Sequence, residues 1–530
     1  MKRSVSATLL LAICFTFLIV SCAQAPNQRI NQQSDKLSVQ TNGAKKPVIV
    51  IIIDSLMDKP LQKTIRSGQA PALKFLKQNG RYFPKIVSSF PTMSVTIDST
   101  LLTGTYADQH HVPGLVWYSG KEKRMIFYGN GPKEALKINQ QQMVLDSIYQ
   151  LNQVQLNKNV QTIHETLRDA GMDSASVNAI VFRGKTEHTL HMPDWIAKST
   201  HLPEEIKVTG PKWLSYAVLS QLDPKNDQNA RAWKKYGLNN QFTAQEMAYL
   251  ISQNKLPEVT IAYFPENDMT VHRKGIDHLD GIIKADQALQ TVFNAFGSWE
   301  KAVQSAVWVV MGDSAQSAVY DDRQAAKIDL RPLVNKYRIA KLDQPVQKED
   351  QIVIATNERM AYVYAIDERV QVSELADLLR KEEKLDLIAR RENKDIYVTA
   401  GKSDKEFSYR PGGRYTDEYG QSWTLEGDPK VADLTITGNR ISYGEYPDVL
   451  ARLYGAMNSH EGRYLVVTVK PGYELITESS PTHIGGGAHG SLHKKDSLVP
   501  MIVTGTEKRP RTLRIVDMKD WLMELANNKK

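Results

Sequence analysis

Cysteine is nearly absent from this chain of 530 residues: there are 2, Cys14 and Cys22, both close to the N-terminus. Beyond them no internal disulfide can form and no thiolate can hold a metal, so any ion must rest on His, carboxylate or hydroxyl groups. Long apolar runs are missing too. After the N-terminus no stretch reaches the roughly 18 residues of a membrane-crossing helix, which excludes a polytopic membrane protein. Lys and Arg (67) outnumber Asp and Glu (59), yet they form no dense basic block, and no nucleic-acid partner is expected. With 31 Gly and 23 Pro and no internal repeat, the chain is neither collagen-like nor low-complexity. What remains is a globular composition, 41% hydrophobic and 24% charged, with ample length for a large core.

Lys2 and Arg3 precede an apolar stretch, Ala7 to Val20, too short to span a bilayer comfortably. It ends in Ile19-Val20-Ser21-Cys22, which resembles the lipobox of bacterial lipoproteins, where the Cys is acylated and becomes the mature N-terminus. The expectation is a lipoprotein signal peptide over 1–21 and a lipid anchor at Cys22 that holds the protein to the cell membrane on its extracytoplasmic side. A flexible tether over 22–46 follows, rich in Gln, Asn and Ser. An ordinary secretory signal with an incidental Cys is the alternative reading.

From Pro47 the text changes. Val48 to Ile53 is an unbroken β-branched run, the pattern of a strand buried on both faces in a parallel sheet, and it stops at Asp54. Val259 to Phe264 and Ala306 to Met311 follow the same plan, with helical periodicity between them at Ile282, Leu289, Val292, Phe293 and Phe296. Strands alternating with helices predict an α/β fold with a mainly parallel central sheet flanked by helices on both faces. The core is read as 47–340 with a cap-like insertion at about 117–257, then an α+β insertion over 341–475, then a C-terminal part of the core over 476–530. Ligands of such sheets bind beyond the strands' carboxyl ends, which makes Asp54 and Asp313 site candidates.

Each further signal has a plain structural reading beside it. Asp54 can be a helix N-cap. Pro91 opens a helix whose Ser/Thr-rich start, Ser94 included, would place hydroxyls where backbone N–H groups stabilise an alkoxide or a phosphate, or would simply cap a turn. Asp268 and His272 lie four residues apart, on one helical face, as two metal ligands or as a structural hydrogen bond. Gly485 to Gly490 formally spells GxGxxG, but no strand precedes it, so the dinucleotide reading fails. Glycines beside His489 more plainly let backbone pass close to a bound group.

The order of these pieces is more specific than any one of them. The chain resembles the alkaline phosphatase superfamily, and within it the type I phosphodiesterase/nucleotide pyrophosphatase branch, over about 47–118, 257–315 and 476–505. Ser89-Phe90-Pro91-Thr92 through Leu102-Thr103-Gly104-Thr105-Tyr106 carries the resemblance most fully, and His110 sits where the family usually has a His. The resemblance implies that Asp268, His272 and His489 hold one divalent metal, with zinc expected. Asp54, Ser94 and Asp313 would contribute to a second site for Zn, Mg or Mn. It implies that Ser94 is the nucleophile and passes through a phospho-seryl intermediate on a small phosphorylated substrate.

Two departures stand out. The family reads Asp-His-Gly where this chain has Asp313-Ser314-Ala315, so an imidazole of the second site is missing. An oxygen-rich second site preferring Mg²⁺ or Mn²⁺, a single-metal enzyme, and a non-catalytic relative that only binds or scaffolds all follow from that change. Gln316 or His493 could stand in for the lost group. The family's phosphate-contacting Asn is here Leu115, and Arg183 is taken as the substitute because a guanidinium grips phosphate bidentately. His188, His191 and His278 are read as ordinary polar residues.

Overall fold

The computed structural model describes residues 46–129, 140–194, 197–198, 202–341, 344–478 and 480–527. The signal peptide, the tether and Cys22 lie outside them. Seven strands form the central sheet: β1 (Val48–Ile53), β2 (Gly80–Val87), β3 (Ser174–Val177), β4 (Trp213–Ser215), β5 (Val259–Phe264), β6 (Val307–Met311) and β7 (Leu498–Thr504). Their order across the sheet is β2-β7-β6-β1-β5-β3-β4. β1 pairs in parallel with β5 and β6, and β3 with β4 and β5; β7 alone runs against its neighbours. The α/β architecture expected from the strand–helix alternation is therefore present. The stretch 117–257, expected as a cap, also supplies β3 and β4 to the sheet itself. Their short runs, Ser-Ala-Ser-Val and Trp-Leu-Ser, lack the long apolar text that marks β1.

Alternation along β1 explains why the sheet is covered on both faces. Val48, Val50 and Ile52 join one core, which also takes Val95, Ile97 and Leu101, Trp521 and Leu525 of the C-terminal helix, and part of a second sheet. Ile49, Ile51 and Ile53 join the other, against Leu73 and Leu76 and against Ile282, Leu289, Val292 and Phe293 of the helix Asp280–Asn294. Each such side chain contributes about 1.5–3 kcal/mol through burial.

The second sheet has nine strands between Ile352 and Val469, almost all antiparallel, and the helices Val372–Leu379 and Val449–Met457 pack on it. Its first two strands, Ile352–Asn357 and Met360–Ala365, form a tight hairpin whose turn residues are Glu358 and Arg359. That turn is held from several sides. Asn357 exchanges hydrogen bonds with the Val116 backbone, and Arg359 N–H donates to the His489 carbonyl. The fully buried Arg359 guanidinium meets Asp496, Ser317 and the Val469 carbonyl. Among the described residues no helix is long and apolar enough to cross a membrane.

Candidate active site

The carboxyl ends of β1, β5 and β6 lie side by side because these strands are adjacent and parallel. Asp54 follows β1 directly, Asp313 follows β6, and β5 leads into helix α2 (Glu266–Lys274), which carries Asp268 and His272 on one face. Facing them is helix α1 (Ser94–Thr103), with Ser94 at its first position and no side chain capping its N-terminus. The helix is buried almost throughout. Its polar residues are accommodated because Ser99, Thr100 and Thr103 donate back to carbonyls four residues earlier, and Gly104 ends it at φ 69°, a left-handed conformation that glycine adopts without strain.

The site has two halves of different charge. In one, Asp268 Oδ1 lies 3.2 Å from His272 Nε2 and 3.6 Å from His489 Nε2. Each imidazole is turned by its other nitrogen, which bonds a backbone carbonyl: His272 Nδ1 to Gly487 at 2.8 Å, His489 Nδ1 to Thr92. This fixes the tautomer and points both Nε2 atoms at the carboxylate, the arrangement that metal-ligating histidines use. The glycines serve this packing. A Cβ on Gly486 would sit 1.9 Å from the His272 carbonyl and one on Gly487 2.4 Å from Gln316 Oε1, so the backbone passes close to protein groups rather than to a bound one. Burial opposes ionisation of Asp268, but His272 and His489 hold it well below the usual carboxylate range. The rings respond in kind: against burial, the facing carboxylates push His272 up to about 9 and His489 up to about 10.

The other half is anionic without an answering cation. Burial, then Asp313 and Asp268, push the Asp54 carboxyl well above its ordinary value, and Asp54 Oδ1 is buried with no hydrogen-bond partner. Burial also raises Asp313, although it accepts from the Ser55 and Ser314 amides at 2.9 and 2.7 Å and from the Tyr263 hydroxyl at 3.2 Å. The Ser94 hydroxyl interacts with both Asp313 and Tyr263. One turn behind Ser94, Asp98 is buried with both carboxylate oxygens unpartnered, and burial together with Asp313 raises it. The first half could hold a divalent ion. The first offers nitrogen and oxygen donors suited to zinc. The second offers oxygen alone, with a buried orphan oxygen at Asp54, which suits Mg²⁺ or Mn²⁺.

Six predicted residues thus meet: Asp54, Ser94, Asp268, His272, Asp313 and His489. Arg183 does not. It is buried, and its guanidinium is consumed by Glu165 at 3.1 Å and by the carbonyls of Leu156, Asn157 and Val160, so it has no face left for a substrate. Of the two substitutes for the missing imidazole, His493 is elsewhere, bonded to Glu445 and to the Lys495 amide. Gln316 is at the site but donates to Asp268 Oδ1 at 2.7 Å and to Ser55 Oγ at 3.0 Å. His110 packs inside, against Thr100. Sequence reasoning missed Ser55, Tyr263, Asp98, Glu358 and His483. Asp98 alone carried a readable signal, its spacing of four from Ser94. Glu358 comes from the second sheet and lies 3.6 Å from His272 Nε2, and His483 stacks on the His272 ring at 4.1 Å.

The site opens into a cavity of 740 Å³. Its lining draws Tyr128, Met143, Ile148, Met192, Leu202, Tyr216 and Leu219 from the 117–257 region, together with Leu115. Among the described lining residues Arg273 is the one Lys or Arg.

The architecture is the alkaline-phosphatase-like α/β fold. Within it, the chain belongs to the type I phosphodiesterase / nucleotide pyrophosphatase family, whose model matches residues 48–492. Phosphonoacetate hydrolase from Sinorhizobium meliloti 1021, solved with phosphonoacetate, is similar in structure at TM-score 0.55 and 15% identity, over 93% of this chain and 100% of that one. An inactivated murine ectonucleotide pyrophosphatase / phosphodiesterase 5 bound to AMP aligns at TM-score 0.52 and 13% identity, over 91% and 95%. The human counterpart aligns at 0.52 and 12%, over the same shares. No curated protein sequence matches the chain.

Proposed function

We propose that this family member is a metal-dependent hydrolase of phosphoric esters, acting on diesters that carry an apolar or aromatic group, with Ser94 as nucleophile. The observation that carries the reading is that Asp54, Ser94, Asp268, His272 and His489 line one cavity, with Asp313 next to Ser94 behind them. Asp268, His272 and His489 would hold one ion and Asp54, Asp313 and the Ser94 oxygen another; bound there, divalent cations supply Lewis acidity and lower the Ser94 pKa.

The protein's own part is positional. The uncapped N-terminus of α1 directs backbone N–H groups and the positive end of the helix dipole at a phosphoryl oxygen. Ser94 Oγ attacks phosphorus in line and gives up its proton to water, with Asp313 beside it. The leaving oxygen takes a proton from water and departs as the alcohol, the phosphoryl group stays on Ser94 Oγ with its other ester arm, and water cleaves that bond to release the monoester. Diesters are favoured because the apolar lining offers room for a second organic arm. The similar proteins whose structures hold AMP and phosphonoacetate support a small phosphorylated substrate.

Hydrolysis of bis-p-nitrophenyl phosphate with Zn²⁺, Mg²⁺ or Mn²⁺ supplied is expected for the native chain and absent from Ser94→Ala. Equal rates in the two would overturn the nucleophile. A second reading, a catalytically weak relative that binds or scaffolds, is favoured by Ser314, since Ser55 and Gln316 fill the space beside it; no rate with any of the three metals selects it.

The reading includes location. Ile19-Val20-Ser21-Cys22 supports a lipid anchor facing the extracytoplasmic side. Cys22→Ala is expected to move the protein from the membrane to the soluble fraction, and unchanged partitioning would retire the anchor.

A further inference from the structure

We propose that Glu358, at the turn of the hairpin in the second sheet, is a fourth protein ligand of the ion held by Asp268, His272 and His489. The proposal rests on that metal site. Glu358 is 7% exposed, and its two carboxylate oxygens have separate surroundings. Oε2 accepts the His489 backbone N–H at 3.0 Å. Oε1 faces the two imidazoles, 3.6 Å from His272 Nε2 and 4.0 Å from His489 Nε2.

Several of the donor separations approach those of a coordination shell. Four donors around an ion at about 2.0–2.2 Å stand at tetrahedron edges of about 3.3–3.6 Å. Asp268 Oδ1 to His272 Nε2 measures 3.2 Å, Asp268 Oδ1 to His489 Nε2 3.6 Å, and the two edges to Glu358 Oε1 are 3.6 and 4.0 Å. An inward movement of Glu358 would shorten its 4.0 Å edge to His489 toward that range. The chain also maintains the turn at a cost. Glu358 has φ 55°, a left-handed conformation unfavourable for a residue with a Cβ, and the turn persists because Asn357 and Arg359 anchor it on either side. Those anchors deliver a carboxylate to a pair of imidazoles that already have one.

His483 offers the rival arrangement, in which the ion sits among His272, Glu358 and His483. The structure favours the first. Asp268 Oδ1 faces both His272 Nε2 and His489 Nε2, at 3.2 and 3.6 Å, and adds a second carboxylate that the His483 arrangement lacks. Four protein donors fill a tetrahedral ion, so this centre would retain its metal strongly and admit a substrate oxygen only by expanding to five-coordination.

The test is metal affinity, read by competition with a chromogenic chelator on chains whose fold is verified by circular dichroism. Glu358→Gln is expected to weaken zinc binding at the first site beyond the roughly 10–100-fold of an outer-shell partner, as Asp268→Asn does, with His483→Ala within about that range. A loss in Asp268→Asn with none in Glu358→Gln overturns the proposal and leaves the three-residue site standing. A His483→Ala loss as large as that of Glu358→Gln overturns it in favour of the rival triad. No zinc bound by the native chain overturns the metal site itself. Cobalt at less than one equivalent gives a reading on the native chain: intense visible absorption, typical of four-coordination, is expected, and a weak band typical of higher coordination overturns the closed shell.

Discussion

Ser314 shows how the loss of one side chain is absorbed by its neighbours. It is fully buried, its Oγ lies 3.1 Å from Ser55 Oγ, and Ser55 in turn bonds Asp268 and Gln316. An imidazole at 314 has nowhere to go without displacing this network. Ser314→His alone is therefore expected to lower stability by about 1–3 kcal/mol, the cost of overpacking, without raising zinc stoichiometry. Ser314→His with Gln316→Ala, which vacates the space, is expected to raise it; denaturant midpoints and bound zinc per chain check both. A second buried residue sets a pH dependence. Asp286 accepts from the Leu73 amide and from Gln290, both at 2.8 Å, and burial raises its pKa from 3.8 to about 6. Between those values the native state holds a proton that the unfolded chain has lost, so this group's contribution to stability falls as pH rises through the window. Asp286→Asn is expected to match the native chain near pH 4 and exceed it by up to about 3 kcal/mol at pH 7. Urea unfolding at the two pH values measures the difference, and an unchanged difference would show that the carboxyl titrates normally.

Elements differ in how much of their role the sequence displays. β1, β5 and β6 were legible because strands buried on both faces are written as unbroken apolar runs, and the side chains just past their ends, Asp54 and Asp313, followed from that placement. The α2 pair was legible from its spacing. Glu358 was not: it belongs to a turn about 90 residues past α2, and only the packing of the second sheet on the core brings it to His272. Arg183 was misread for the converse reason, since a cation in a loop looks free until its partners are known. Its partners define its function as a clamp. Thr162 caps the helix Ile163–Asp169 and donates to the Arg183 carbonyl, while Glu165 of the same first turn takes the guanidinium. Arg183→Met leaves Glu165 and three carbonyls without their donor, and a loss of about 3–5 kcal/mol is expected. KM for a diester should stay near the native value at temperatures where the variant is folded; a large KM increase with native stability would return Arg183 to the substrate.

At the scale of the molecule, the 117–257 region does two things at once: β3 and β4 extend the sheet, while Ile148, Met192, Leu202 and Leu219 pack together as a small core of their own and also line the cavity. On the proposed function, a diester with its phosphoryl group at Ser94 would place its second arm against this apolar lining. A monoester has no second arm to place there. Ile148→Ala, which removes apolar surface from the lining and touches none of the charged groups, is therefore expected to lower kcat/KM for bis-p-nitrophenyl phosphate by about tenfold or more. The rate on p-nitrophenyl phosphate should change little and serves as the internal control for folding and metal content. Equal losses on both substrates would mean that the lining supports the site only through general packing, and unchanged rates on both would place the second arm elsewhere in the cavity.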